Sequence, residues 1–588
     1  LRKHLHSLAR SKASLLCILW ISYRRTLSNE SLGKINDLKL AGLRICNYQD
    51  EQNLSVDKWD IIIVQVESLS RIEFSARPIV AILDEANAIH RQMSSGVNAR
   101  ESESAMRDVL KTAQHVLAMD AFANESTLNF LKAYRGDDIR VIDNKFQPLV
   151  GKTVEYLYDP NSGAEAMRIG CKLLEQGKRV AFVLTSCGMA RALVEKVSKL
   201  QTPDNSLVRA RAYYGDMDGK QRKKDFSDIN TAWGELDCVA YTSTVEAGIS
   251  FEKTDHFDAV IGITNIVTPV NVEAFVQMMF RIRDCKRRIL SLYYQRNSSE
   301  LFRPPGYENI RSELESARPN DLPTAIRGHR EWDKNIISYK LDQSPAVISY
   351  LEVEHRKRLS VRNFIKISCS LIASTGASLQ LIKMDDSQGV IGNRKKIRNE
   401  VRIGALVIKE ADFSAVATSR NLDPEEAEIL KFDQERSIAD TMALKRFYMW
   451  NLYGGKDMST KDWDDLCNKK FIERFSPPEP RKHFLRLSQF RKQGCDEESA
   501  MKGLEAKDSA QWEDTCYKAE ENLEKSIIED LRKTYSANHW KVIQELFKIL
   551  GFTGIDDKRI LSGSMVSEAF TQSCERFIEI RDQSLLLF

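Results

Sequence analysis

The chain has 588 residues, 42% of them hydrophobic and 29% charged, which is enough apolar material for several cores and predicts three or four globular units of roughly 100 to 200 residues rather than a disordered chain. Its 87 basic and 83 acidic side chains leave a net charge of +4, so the chain as a whole does not attract polyanions and any nucleic-acid contact must be local. Eleven cysteines occur without one C-x-x-C pair; that excludes the usual zinc-ribbon spacing and fits thiols of a reducing cell interior.

Leu1 to Arg10 reads as a helix. The apolar run Leu15 to Ile21 is far too short to span a bilayer, which takes about 20 residues. Arg24 and Arg25 follow it where signal-peptide cleavage needs small residues. It is therefore predicted as a buried parallel strand, and no membrane association is expected. Further strand-like runs follow at Asp60 to Val66, Pro78 to Glu85 and His115 to Ala121, separated by helical stretches. This alternation predicts an α/β lobe over residues 1–145 with a parallel sheet. A second alternating block, residues 146–328, carries runs at Arg179 to Thr185, Val208 to Tyr214, Asp237 to Ser243, Asp258 to Thr264 and Arg288 to Tyr294. Residues 329–588 read as a mainly helical region with amphipathic segments at Val347 to Thr375, Pro424 to Leu452 and Ser509 to Leu550, one strand-like run at Ala377 to Met384, and a Pro-rich break at 476–480.

Function in open parallel sheets gathers at the carboxyl ends of the strands. Asp84 and Glu85 stand there, and a nucleotide hydrolase needs one carboxylate to hold magnesium through water and a second to deprotonate the attacking water. The same acidic pair could simply cap the next helix. In the second block, Thr242 to Phe251 places Thr242, Thr244 and Gly248 after a strand, where hydroxyls and backbone can approach phosphate. A predicted helix from Val272 to Arg283 puts Gln277 and Arg281 four residues apart on one face, with Arg283 near its end. Guanidinium groups so placed can neutralise charge on a transferring phosphoryl group, although the basic run through Lys286, Arg287 and Arg288 also fits a solvated surface.

Taken in order, the segments YRRTL, VESLSRI, LDEAN, MDAF, YTSTVEAGISF and QMMFRIR resemble the motifs of superfamily 2 helicases, and more narrowly of the replication origin-binding family typified by the herpesvirus origin-binding helicase. The resemblance covers about residues 12 to 295 and implies two tandem RecA-like lobes followed by the helical region. It also implies an ATP- and Mg2+-dependent DNA helicase or translocase acting in replication, inside the cell and in the nucleus of a eukaryotic host. Asp84 and Glu85 would be the magnesium and water-activating carboxylates. Asp120 would couple hydrolysis to lobe movement, and Gln277, Arg281 and Arg283 would sense the γ-phosphate. Tyr23, Arg24, Arg25, Ser68 and Arg71 resemble first-lobe contacts to the nucleic-acid backbone, and Thr242 to Gly248 resembles the second-lobe motif that faces both DNA and nucleotide. The expected partners are single-stranded DNA, origin duplex and other replication proteins.

The sequence departs from that pattern in three places. Phe280 stands where glycine usually precedes the first arginine, and the acidic motif reads DEAN. More seriously, no G-x-x-x-x-G-K-[ST] loop occurs to supply the amides and lysine that hold the β- and γ-phosphates. Gly151-Lys152-Thr153 has Phe146 in place of the first glycine and falls between the lobes. Leu1 to Arg10 resembles the helix that follows such a loop, so the expectation is a loop upstream of residue 1 and little or no turnover by this chain alone. The alternatives are a DNA- or partner-binding chain without catalysis, and a helical scaffold built from the last 259 or so residues. Basic clusters at His355 to Arg358 and at Arg481 to His483, the latter with Phe484, Arg486 and Phe490, could meet phosphate and bases but read better as solvated helix faces.

Overall fold

The computed structural model describes residues 16–452 apart from 39–42, 52, 96–98, 160–161, 269, 294–302, 317–325, 327, 334–335, 385–386 and 434. The expectations for Leu1 to Arg10, the 476–480 break, the 481–490 basic cluster and the 509–550 helix lie outside the described residues.

The first lobe runs β1 (Cys17–Ser22), α1 (Arg25–Asp37), β2 (Ile45–Asn47), β3 (Ile61–Gln65), β4 (Ile79–Asp84), α2 (Ala86–Ser95), α3 (Ala99–Thr112), β5 (His115–Met119) and α4 (Glu125–Arg135). Its parallel sheet has the order β2-β3-β1-β4-β5. The early apolar run is thus the central strand, buried at every position. Its side chains alternate between two cores, Leu19 and Ile21 facing one and Ile18 and Trp20 the other, as a strand covered on both faces requires. The three-residue edge strand β2 was too short to stand out in the sequence.

The second lobe contains β6 (Thr153–Tyr158), α5 (Ala164–Glu175), β7 (Val180–Leu184), α6 (Cys187–Val197), β8 (Ala210–Tyr213), α7 (Gly219–Ser227), β9 (Cys238–Tyr241), β10 (Phe257–Asn265), α8 (Val272–Met279) and β11 (Cys285–Tyr293). Gly151 and Lys152 form a turn that feeds strand β6, with the Lys152 amide donating to the Leu149 carbonyl at 3.0 Å. A phosphate loop opens a helix instead, so this triplet does not have that geometry.

Beyond it come α9 (Tyr307–Ser316), the antiparallel pair β12 (Gly328–Asp333) and β13 (Ile336–Leu341), α10 (Pro345–Arg362), α11 (Phe364–Ser374), β14 (Ser378–Leu381), α12 (Gln388–Thr418), α13 (Pro424–Phe432) and α14 (Ile438–Leu452). Part of this helical region completes the second lobe. Strand β14 pairs in parallel with β6, giving a seven-stranded sheet of order β8-β9-β7-β10-β11-β6-β14. Phe364, Ile372 and Leu379 enter one core of that lobe, and Ile397 and Val401 of α12 enter the other. The apolar face of a long helix needs cover, and the second lobe supplies it. Among the described residues no helix is long and apolar enough to cross a membrane.

Candidate functional site

Strand β4 delivers Asp84 and Glu85 to the carboxyl edge of the first sheet, facing the second lobe. The Asp84 carboxylate accepts from the Trp20 indole N–H at 3.1 Å and from the Ser31 hydroxyl at 3.4 Å, so β1 and α1 fix its direction. Burial raises its pKa, opposed by those two donors. Glu85 follows with φ +64°, a left-handed conformation that costs a residue with a side chain of order 1–3 kcal/mol and often marks a functional turn. The turn swings its carboxyl out of the first lobe to accept from the Gln277 amide of the second at 2.9 Å. Burial pushes this carboxyl up to about 7; the Asp120 charge adds to the rise and the Gln277 hydrogen bond opposes it. A carboxyl held near neutrality suits proton transfer at physiological pH.

Asp120 stands just past β5 and accepts from the Asn87 amide at 2.8 Å and the Phe122 amide at 2.7 Å. It therefore satisfies a free N–H at the start of α2, the helix that begins directly after Glu85. Burial raises its pKa against those two donors. Asp120 thus ties the acidic turn to the next strand of the sheet.

On the second lobe the predicted helix ends early. Helix α8 stops at Met279, and Phe280 closes it. The chain then runs extended beside Phe251, whose amide donates to the Arg281 carbonyl at 2.8 Å and whose carbonyl accepts from the Arg283 amide at 3.0 Å. Gln277 and Arg281 therefore do not share a helical face. Instead Arg281 and Arg283 flank the fully buried Ile282 and project together by strand alternation. The Arg283 guanidinium donates to Ser250 at 2.7 Å. The Arg281 Nε is buried with no hydrogen-bond partner among the described residues, an orphan donor of the kind an arriving anion would satisfy.

Gly248, at φ +76°, lies against the first lobe so closely that a Cβ there would stand 2.4 Å from the Leu27 nitrogen. Beside it the Thr26 hydroxyl donates to the Ala247 carbonyl at 2.9 Å. Glu246, only 5% exposed, receives Arg24 at 2.8 Å and Arg91 at 3.3 Å. These contacts join the lobes at a second point, and Glu246 and Arg91 had not been singled out from the sequence. Glu246 sits inside the YTSTVEAGISF segment, so an acidic residue among hydroxyls was the available signal.

The residues expected on nucleic acid divide accordingly. Tyr23 and Thr242 are buried, and Arg24 is engaged with Glu246 across the lobes. Thr242 also lies 3.5 Å from the half-buried Thr244. Arg25 reaches the helical region, donating to the Lys431 carbonyl at 3.1 Å. Ser68 and Arg71 occupy a short 3-10 turn with partial exposure, Arg71 donating to the Glu51 carbonyl. In the first basic cluster Arg358 is buried in ion pairs with Glu313 and Glu354, which removes it from any phosphate role.

Residues 3–150 match the family described as origin of replication binding protein. A putative helicase/primase complex protein of African swine fever virus (isolate Pig/Kenya/KEN-50/1950) is 25% identical over 546 residues, covering 89% of this chain and 47% of that protein. A putative replication origin-binding protein of Acanthamoeba polyphaga mimivirus is 22% identical, covering 78% and 56%. The replication origin-binding protein of human herpesvirus 6B (strain Z29) is 28% identical over 244 residues, covering 40% and 29%. The chain spans about half the length of the first of these curated relatives. Among solved structures, S. cerevisiae Dbp5 bound to RNA and ADP BeF3 aligns with a TM-score of 0.38 at 11% identity, covering 67% of this chain and 86% of that one.

Proposed function

We propose, for a chain whose sequence resembles the replication origin-binding proteins of superfamily 2, that its two lobes form the carboxylate and arginine parts of an ATP-driven DNA helicase or translocase acting in replication. The observation that carries this reading is the 2.9 Å hydrogen bond from Gln277 to Glu85 across the lobes. Through it the water-activating carboxyl of one lobe senses the position of the arginine-bearing segment of the other. Glu85 would orient the attacking water and take its proton, and Arg281 and Arg283 would balance the charge that gathers on the γ-phosphoryl oxygens. Separation of the lobes after hydrolysis would withdraw the arginines, which converts a chemical change into movement along a strand.

Among the described residues no group of three or more His, Cys, Asp or Glu side chains could hold a metal. Magnesium keeps several waters and is bound through one or two carboxylates together with substrate phosphates. Asp84 would hold it through water, and the bound ion would neutralise phosphate charge.

The test is DNA-stimulated ATP hydrolysis by a polypeptide that joins a phosphate-binding loop to these residues. Arg283→Ala should lower turnover by about 10³-fold or more while DNA binding stays within about threefold of the parent's. Unchanged turnover would remove Arg283 from the site. A second reading, DNA or partner binding without hydrolysis, is favoured by the lack of a G-x-x-x-x-G-K-[ST] loop in the 588 residues. It predicts no hydrolysis in that polypeptide either.

A further inference from the structure

Arg25 of the first lobe, Arg222 of helix α7 in the second, and Arg436 of the loop between α13 and α14 form one basic cluster. The last carbonyls of α13 anchor two of them: Arg25 donates to Lys431 at 3.1 Å, and Arg436 donates to Leu430 at 3.2 Å and to the same Lys431 oxygen at 3.3 Å. Arg222 donates to the Gly215 carbonyl at 2.8 Å, and the Gly219 amide at the head of its helix donates to the Arg436 carbonyl at 3.0 Å. None of the three guanidinium groups forms an ion pair among the described residues.

The acids nearby are committed elsewhere. Asp216 pairs with Lys445 at 2.5 Å, Asp218 caps α7 through the Gln221 amide at 2.9 Å, and Asp433 accepts from the Glu435 amide at 2.8 Å. The cationic forms of Arg222 and Arg436 are disfavoured by burial first and then by neighbouring guanidinium groups. Asp216, Asp218 and Asp433 offset part of this charge, but none of them forms an ion pair with the three arginines, so an anion that joins these half-buried cations directly would be favoured.

Phe432 borders the cluster. Its ring is 51% exposed, with the Arg25 guanidinium 6.0 Å and the Lys431 ammonium 5.1 Å from its centroid. A basic cluster with an exposed aromatic beside it is the chemistry that holds single-stranded nucleic acid, phosphates on the cations and a base on the ring.

We propose that Arg25, Arg222, Arg436 and Phe432 form a single-strand binding site whose third wall comes from the helical region. Nucleic acid lying there would touch both lobes and α13 at once, so the helical region would take part in grip. This inference rests on the nucleic-acid reading above but not on hydrolysis.

The experiment is nucleotide-free binding of a fluorescent 20-residue oligothymidylate and, in parallel, inorganic polyphosphate. Phe432→Ala should weaken the oligonucleotide by about fivefold or more and leave polyphosphate unchanged, whereas Phe432→Trp should keep the parent affinity. Arg222→Gln and Arg436→Gln should each lower the log–log salt slope by about 0.7. Because Arg436 also caps α13, the parent chain should in addition photocrosslink an iodouridine-bearing oligonucleotide within residues 424–436. Parent-like affinity for Phe432→Ala, equal losses for oligonucleotide and polyphosphate, unchanged slopes, or crosslinks confined to other segments would each overturn the site. If the parent chain binds no single strand at all, the nucleic-acid part of the proposed function fails with it; altered hydrolysis alone bears only on that function.

Discussion

The two lobes meet at two places built in opposite ways. At one, Glu246 lies buried between Arg24 and Arg91, and Gly248 lets the backbones touch. At the other, a single amide hydrogen bond joins Gln277 to Glu85, beside an arginine donor with no partner. The first contact is close-packed around a doubly paired carboxylate and intolerant of added bulk, although the Arg24 Nε, like that of Arg281, has no hydrogen-bond partner among the described residues. The second leaves acidic and basic groups incompletely satisfied, which is where a nucleotide could enter and alter the balance. A clasp that fixes the lobes beside a seam that a nucleotide can reach is the arrangement the proposed motor requires.

The largest effect expected from breaking this contrast is at Gly248. Gly248→Ala adds a Cβ at 2.4 Å from backbone and strains a left-handed φ, together about 2 to 6 kcal/mol against the joined arrangement. Small-angle scattering should show the described lobes separating, and an unchanged radius of gyration would show that the clasp tolerates the methyl. Glu246→Ala comes next. Stranding Arg24 and Arg91 without their buried partner should cost about 3 kcal/mol, the low end for a broken buried pair because Arg24 is one-third exposed. A double-mutant cycle with Arg91→Ala measures it; additivity within about 0.3 kcal/mol would mean that the two do not interact.

The responsive contact can be sharpened through pH. Glu85 has its folded pKa raised to about 7, above the unfolded value near 4.3. Its contribution to stability is therefore fully present below the unfolded pKa and is lost as pH rises through about 7. Glu85→Gln, which keeps the neutral form, should match the parent's melting temperature at pH 4 and exceed it at pH 8 by the equivalent of at most about 4 kcal/mol. A constant difference across that range would place the titration elsewhere.

How much of this was legible in the sequence follows from the range of each interaction. Continuous apolar runs such as Ile61 to Val64 announced the buried parallel strands, because both faces of the sheet are covered. Asp84, Glu85 and Asp120 were legible because each lies at or just beyond the carboxyl end of a strand. The helix end at Met279 was not: helical spacing fits Gln277 and Arg281, but pairing with Phe251, some thirty residues earlier, draws the chain out straight. The Arg24–Glu246 pair spans 222 positions, and only the docking of two separately folded sheets brings it together. Phe432 comes beside Arg25 in the same long-range way, through the packing of the helical region on the lobes.

The most direct test of the central claim, that Glu85 is the proton acceptor of a site shared by the two lobes, is steady-state ATP hydrolysis by Glu85→Gln in a polypeptide joined to a phosphate-binding loop. The account predicts a fall of about 10² to 10⁴-fold with single-strand binding intact. Turnover within about threefold of the parent's would contradict it.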